Sequence, residues 1–236
     1  MKANKTAVTG ALSASIAHEL NQPLGASNIN IQFLKSKLDK GQLNPELGKE
    51  VLDDLERDNK RAATIVGSLR SIFTESGIKN EEVKVGQIID SVLEIVNSDL
   101  LAKNIQVNLN VDQNLRVHIR DAEFQQVLLN LINNAVQSIS SLEAVKGHIQ
   151  IEATQNEDKA QISISDNGSG VPKEQQLGLF ELLNTTKETG MGLGLWLCKH
   201  IITRYEGSIY YKDAVGRGAK FVIELPLFNK NKMSHS

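Results

Sequence analysis

Asp166-Asn167-Gly168-Ser169-Gly170 follows the alternating run Ile162-Ser163-Ile164-Ser165, and a second glycine cluster, Gly190-Met191-Gly192-Leu193-Gly194, lies further down the chain. An acid at the end of a strand can accept a hydrogen bond from an amino group on a base. Two spaced glycines let the backbone come close to a ligand. A glycine cluster that opens a helix presents free N–H groups and a positive dipole end, which suit phosphate. Alone, a turn aspartate before Asn-Gly is commonplace. The later cluster is not a dinucleotide fingerprint either, because its spacing differs and no strand runs directly into it. No Walker A sequence occurs in the chain. Together the two clusters outline a candidate nucleotide pocket.

Upstream of the first cluster, Asp121–Ile139 reads as an amphipathic helix. Leu128, Leu131, Ile132 and Ala135 face a core, while Asn130, Asn134 and either Gln137 or Ser138 share another face by the i, i+4 rule. Two amides on one face can serve a hydrated magnesium ion, which prefers oxygen ligands and keeps several waters.

Working outward, Glu82–Val85 reads as a strand, Gly86–Lys103 as a helix, and Ile105–Val111 as a half-buried strand of strict alternation. Arg116–Ile119 is a short strand. His148–Ala153 and Ala160–Ser165 alternate on either side of a polar connection, Gln155–Asp158. Leu193–Tyr205 is a helix, and Ser208–Lys212 with Ala219–Leu225 forms a last hairpin around Val215-Gly216-Arg217-Gly218. Strands in hairpins with helices on one face give an α/β two-layer sandwich.

The N-terminal part differs. Val8, Leu12, Ile16, Leu20, Leu24, Ile31, Leu34 and Leu38 recur at helical spacing across a helix from 6 to 40. Asn44 offers a cap and Pro45 suits the first position of a second helix that stops near Gly77. A lone hairpin of such length buries one seam and leaves apolar positions wet, and Leu52, Val66 and Phe73 widen the stripe. A homodimer in which two hairpins make a four-helix bundle solves this. The expected fold is α+β: a dimeric helical hairpin over 1–79, an α/β sandwich over 80–229, and a polar tail over 230–236.

Lys and Arg total 26 against 28 Asp and Glu, a balance that gives no reason to expect nucleic-acid binding. The single cysteine, Cys198, sits in an apolar stretch and reads as a core residue, with no disulfide framework. No apolar run at the start suggests a signal peptide or a membrane span. The expected location is cytoplasmic, as a whole protein or as the cytoplasmic part of a longer one.

Asn130/Asn134, Asp166–Gly170 and Gly190–Gly194, in that order, resemble the N, G1 and G2 boxes of the histidine-kinase ATPase family, which shares its Bergerat-type fold with gyrase, MutL and heat-shock chaperone ATPases. The resemblance spans roughly residues 83–228. It implies ATP and Mg²⁺ as cofactors, with Asp166 on the adenine amino group, Asn134 on magnesium and Asn130 as a second metal contact. It implies that Gly168, Gly170, Gly190, Gly192, Leu193 and Gly194 shape the nucleotide site. Leu179-Phe180-Glu181 resembles the F box, and Thr185-Thr186-Lys187 the lid segment whose lysine reaches the terminal phosphates. Leu182, Leu183 and Asn184 stand where relatives carry a proline and two phenylalanines.

In gyrase-like relatives a glutamate four residues before the metal-binding Asn activates water. Here that position is Asn130, a neutral amide, so another acceptor is needed. Ser15–Leu24 resembles the H box of two-component sensor kinases of the His-Glu-Leu-Asn-Gln-Pro subgroup. His18 is then the phosphoacceptor: neutral imidazole is a ready nucleophile near neutral pH. Glu19 can take the proton from the far ring nitrogen as general base. Gln22 lies one helical turn on, where relatives position a water for the reverse, phosphatase reaction. Pro23 removes a helix hydrogen bond beside His18, so a bend is expected there. The implied partners are a second copy of the chain, a response-regulator receiver domain, and a sensor domain upstream or on a separate protein. A nucleotide-holding scaffold or phosphatase, and a gyrase-like ATPase, stay open as alternatives.

Overall fold

The computed structural model describes residues 2–73, 82–142, 146–181, 193–214 and 216–228, and the side chains of residues 2–19, 61, 64 and 67–73 lie outside that description. The chain divides into two units, Met1–Thr74 and Glu75–Ser236.

The first unit is a hairpin of α1 (Lys2–Asp39) and α2 (Pro45–Phe73). Helix α1 ends where Gly41, at φ +62°, takes the left-handed conformation that favours glycine, and Gln42 N–H returns to the Lys37 carbonyl at 2.9 Å. The start of α2 follows its sequence signal: the Asn44 side chain accepts the Leu47 N–H at 2.8 Å, with Pro45 in the first helical position. Val51, Ala62 and Ile65 are buried, whereas Leu24, Ile29, Leu38, Leu52 and Val66 are exposed. The α1 helix runs through Pro23 as one element. The expected stop of α2 near Gly77 and the polar tail from 230 lie outside the described residues.

The second unit contains β1 (Glu82–Lys84), α3 (Val85–Ala102), β2 (Ile105–Val111), β3 (Arg116–His118), α4 (Asp121–Ser140), β4 (Gly147–Asn156), β5 (Lys159–Asp166), α5 (Lys173–Gln176), α6 (Leu193–Arg204), β6 (Ser208–Asp213) and β7 (Ala219–Pro226). Strands β1 and β3 pair as a small ribbon, and the main sheet runs β2-β4-β5-β7-β6. The expectation that all strands run in hairpins needs correction. β2 and β4 pair in parallel, Ile105 beside Gly147 and Val111 beside Ala153, so the main sheet is mixed. The physical reason is the α4 crossover between them: a helix returns the chain to the end from which it started. The polar connection between β4 and β5 is also tighter than expected, because Asn156 and Lys159 are themselves paired and only Glu157-Asp158 turns.

Helices α3, α4 and α6 cover the sheet's apolar face. Phe124, Leu128, Leu131 and Ile132 of α4 meet Ile149, Ile151, Ile162 and Ile164 of the central strands, all essentially inaccessible. Each such side chain stabilises by about 1.5–3 kcal/mol through loss of water contact. Asp121 and Glu123 in the first turn of α4 complement its dipole. Glu123 is buried but satisfied: it accepts from the Tyr205 hydroxyl and pairs with Arg204 at 3.2 Å, tying the start of α4 to the end of α6. Burial first, then the Glu123 hydrogen bond, pushes the Tyr205 phenol up to about 12. Among the described residues no helix is long and apolar enough to cross a membrane.

Candidate functional site

The site grows from one face of α4. Asn130, Asn134 and Ser138 follow at i, i+4 and i+8, each half-buried, while their neighbours fill the core. Ser138 holds the glycine loop after β5. Its hydroxyl accepts the Ser169 N–H at 3.0 Å, and the two serine hydroxyls lie 3.2 Å apart. Two turns earlier, Asn130 reaches α6. Its side-chain nitrogen donates to the Gly194 carbonyl at 3.4 Å and to Cys198 Sγ at 3.8 Å, while its oxygen accepts from Gln126 at 3.3 Å. A single helix face therefore carries both glycine-bearing segments.

Asp166 ends β5, buried at 7 % exposure, with Oδ1 accepting the Gly168 N–H at 2.8 Å. That short turn stops the strand and fixes the carboxylate. Asn167 extends the ladder through its side chain: it accepts the His148 N–H at 2.8 Å and donates to the Lys146 carbonyl at 2.9 Å. Gly168 lies against the end of α4 so closely that a methyl group there would overlap Ser138 Oγ and sit 2.7 Å from the Ser138 carbonyl carbon. Gly170 takes φ +73°.

Phe180 is half-buried and meets Phe221 edge-on at 6.3 Å, and Phe221 in turn meets Tyr211 at 5.8 Å. The short helix α5, absent from the sequence reading, is held by Gln176, which donates to the Val171 carbonyl at 3.1 Å and to Asp213 at 3.3 Å. Leu193 is buried at the start of α6. Behind it, burial pushes the Cys198 thiol up to about 12. Burial, reinforced by Arg204, lowers the His200 imidazole, which stacks on Trp196 at 5.2 Å.

The structure thus brings Asn130, Asn134, Asp166, Gly168, Gly170, Leu193 and Gly194 into one region of the second unit. Thr186, Lys187, Gly190 and Gly192 lie outside the described residues. His18 and Glu19 fall within α1, with side chains outside the description, and Gln22 is exposed on the same helix. Ser138 was only one of two options on its helix face. Asn167 carried no distinct signal, since its partners His148 and Lys146 lie on and just before β4, and nothing marked Gln126, one helical turn before Asn130.

A magnesium ion fits the donor set in one respect. Neutral amide oxygens, which Asn130 and Asn134 both carry, suit a cation whose charge is balanced by a bound anion and not by the protein. Both ends of the Asn130 amide have protein partners, Gln126 at the oxygen and Gly194 at the nitrogen.

Residues 119–229 match the family described as histidine kinase-, DNA gyrase B-, and HSP90-like ATPase. Among curated proteins the chain is similar to the sensor histidine kinase ZraS of Salmonella typhimurium, 29 % identical over 230 residues, covering 97 % of this chain and 48 % of ZraS. It is 31 % identical over 228 residues to the signal transduction histidine-protein kinase AtoS of Escherichia coli, covering 96 % of this chain and 36 % of AtoS. The chain therefore spans about half the length of these relatives or less. Among solved structures, the catalytic domain of histidine kinase ThkA aligns at TM-score 0.57 with 27 % identity, covering 63 % of this chain and 95 % of that one. ThkA in complex with the response regulator TrrA shares the fold across 97 % of this chain and 64 % of that one, at TM-score 0.74 and 24 % identity.

Proposed function

From a two-component histidine-kinase core whose residues 119–229 form the family's ATPase domain, we propose that this chain binds Mg-ATP between its two glycine segments and phosphorylates His18. The observation that carries the nucleotide step is Asp166: a buried carboxylate, held by Gly168 at the end of a strand, in a loop whose glycines at 168 and 170 have no room for a side chain. Its acceptor chemistry suits a base with an exocyclic amino group, and the match to the ATPase family makes adenine that base. The start of α6, tethered to Asn130, supports the triphosphate.

Asn134 is the first magnesium contact, with Asn130 second. Magnesium, when bound, offsets phosphate charge. In the transfer step a His18 ring nitrogen attacks the γ-phosphorus, the bond to the β–γ bridging oxygen breaks, and ADP leaves. Glu19 takes the proton from the far ring nitrogen. The neutral amide at 130, in place of a water-activating glutamate, supports histidine over water as acceptor. The phosphoryl group then passes to an aspartate of a response-regulator receiver domain, and Gln22 positions water for the reverse reaction. Exposed Leu24, Ile29, Leu38, Leu52 and Val66 support pairing of two hairpins as a homodimer. The chain works in the cytoplasm, where ATP is present, under control of a sensor domain or protein.

Titration calorimetry with Mg-ATP on the wild-type chain and on Asp166→Asn tests the nucleotide step. Asn keeps the shape and presents N–H where the base offers N–H. Binding by the wild type with at least tenfold weakening in the variant, about 1.4 kcal/mol, supports the reading. Equal affinities would remove its basis.

A further inference from the structure

We propose that the far end of the β6–β7 hairpin, Gly218 above all, positions Asp166 and so sets base selectivity without touching the nucleotide. The inference rests on the reading of Asp166 as the adenine-binding carboxylate.

Gly218 precedes β7 at φ +113°, a conformation that L side chains rarely adopt. A methyl group there would overlap the Asp166 carbonyl oxygen, lie 2.6 Å from the Asp166 carbonyl carbon and lie 2.9 Å from the Asn167 Cα. The same residue meets the other end of the loop, because a methyl on Gly170 would sit 2.9 Å from the Gly218 carbonyl oxygen. Gly168, two residues after Asp166, is pressed against Ser138 of α4. The loop that begins with Asp166 is therefore in close contact with both the hairpin end and the last turn of α4. Interiors of this density pass a displacement on instead of absorbing it.

A second tether joins the hairpin to the segment that follows the loop. Tyr211 donates to Asp213 at 2.9 Å, and Gln176 donates both to Asp213 at 3.3 Å and to the Val171 carbonyl at 3.1 Å. Any side chain at 218 must push the end of β5 aside and swing the carboxylate. A carboxylate discriminates between bases only within hydrogen-bond range, and moving it weakens that discrimination steeply. Gly216 supplies the matched comparison. It also has a positive φ, +92°, but nothing lies within 4 Å of where its methyl would stand. Alanine there carries a similar backbone penalty with no push on Asp166.

The experiment measures affinities for ATP and for inosine triphosphate, which replaces the adenine amino group with a carbonyl. It uses the full chain and its Gly218→Ala, Gly216→Ala and Asp213→Ala variants, with thermal melts in parallel. The wild type should favour ATP. Gly218→Ala should reduce the ATP-to-inosine-triphosphate ratio about tenfold, the scale of one charge-assisted hydrogen bond. Asp213→Ala should reduce it by a smaller factor, about threefold, as one tether among several. Gly216→Ala should keep the wild-type ratio while lowering the melting temperature. An unchanged ratio in Gly218→Ala, or an equal loss in Gly216→Ala, overturns the proposal and leaves the reading of Asp166 intact. If Gly218→Ala does not fold, an unchanged ratio in Asp213→Ala overturns it. A wild type with no preference for ATP would instead remove the adenine reading, and this inference with it.

Discussion

The Asn130 side-chain nitrogen donates to the Gly194 carbonyl at 3.4 Å, so the helix bearing both asparagines is tied to the first turn of α6. The amide has the right polarity for this: nitrogen toward a carbonyl, oxygen toward Gln126.

That polarity separates a tether from a metal ligand. Asn130→Ala should lower stability by about 1 kcal/mol and weaken ATP binding. Asn130→Asp should do worse, because it sets a carboxylate against the Gly194 carbonyl. A purely metal-binding role predicts the opposite order, since a carboxylate holds magnesium at least as well as an amide. Thermal melts and calorimetry on both variants decide between them.

Cys198 is fully buried, and its thiol is pushed up to about 12, chiefly by burial. Thiolate is the reactive form. In the folded protein at pH 8, a thiol reagent should therefore modify Cys198 only at the rate of opening, and one equivalent should react promptly in denaturant. Fast stoichiometric labelling of the native chain would contradict the packing behind α6.

His200 offers a pH test. Its folded pKa lies below the ordinary 6.5, mainly through burial, with Arg204 adding to the effect and Glu123 opposing it. The unfolded chain thus takes up the proton first as pH falls. The stability tied to neutral His200 is complete above pH 6.5 and is lost as pH drops from there toward the folded value. Denaturant titrations at pH 7.5 and pH 5.5 should show a smaller loss in His200→Gln than in the wild type. Identical losses would mean that the histidine plays no part.

Tyr205→Phe removes a donor from buried Glu123 and should destabilise by about 1–3 kcal/mol, while the preference for ATP over inosine triphosphate stays as in the wild type. The hydroxyl bridges α4 and α6 at the end of α4 away from Ser138 and the glycine loop. A changed preference would show that the two ends of α4 are coupled.

Much of this architecture was legible in the residues. Strict alternation marked Ile105–Val111, whose bounds match β2, and apolar periodicity marked Asp121–Ile139, which α4 extends to Ser140. Alternation identifies a strand but not its neighbour, so the parallel pairing of β2 with β4 stayed hidden until the crossover helix was seen to separate them. Asp166 and Gly168 stood out because an acid followed by spaced glycines has a chemical use. Gly218 did not, because turn glycines at a hairpin end carry no mark of what they press against. Its contact with Asp166 arises from strand pairing between residues far apart in the chain. The Glu123–Tyr205–Arg204 cluster was hidden for the same reason.

The most direct measurement is transfer of label from ATP carrying radioactive γ-phosphate to the wild-type chain and to His18→Gln. The proposal requires an acid-labile, alkali-stable phosphoprotein in the wild type, no label from ATP marked at the α-phosphate, and none in the variant. Full labelling of His18→Gln, or an acid-stable product in the wild type, would contradict it.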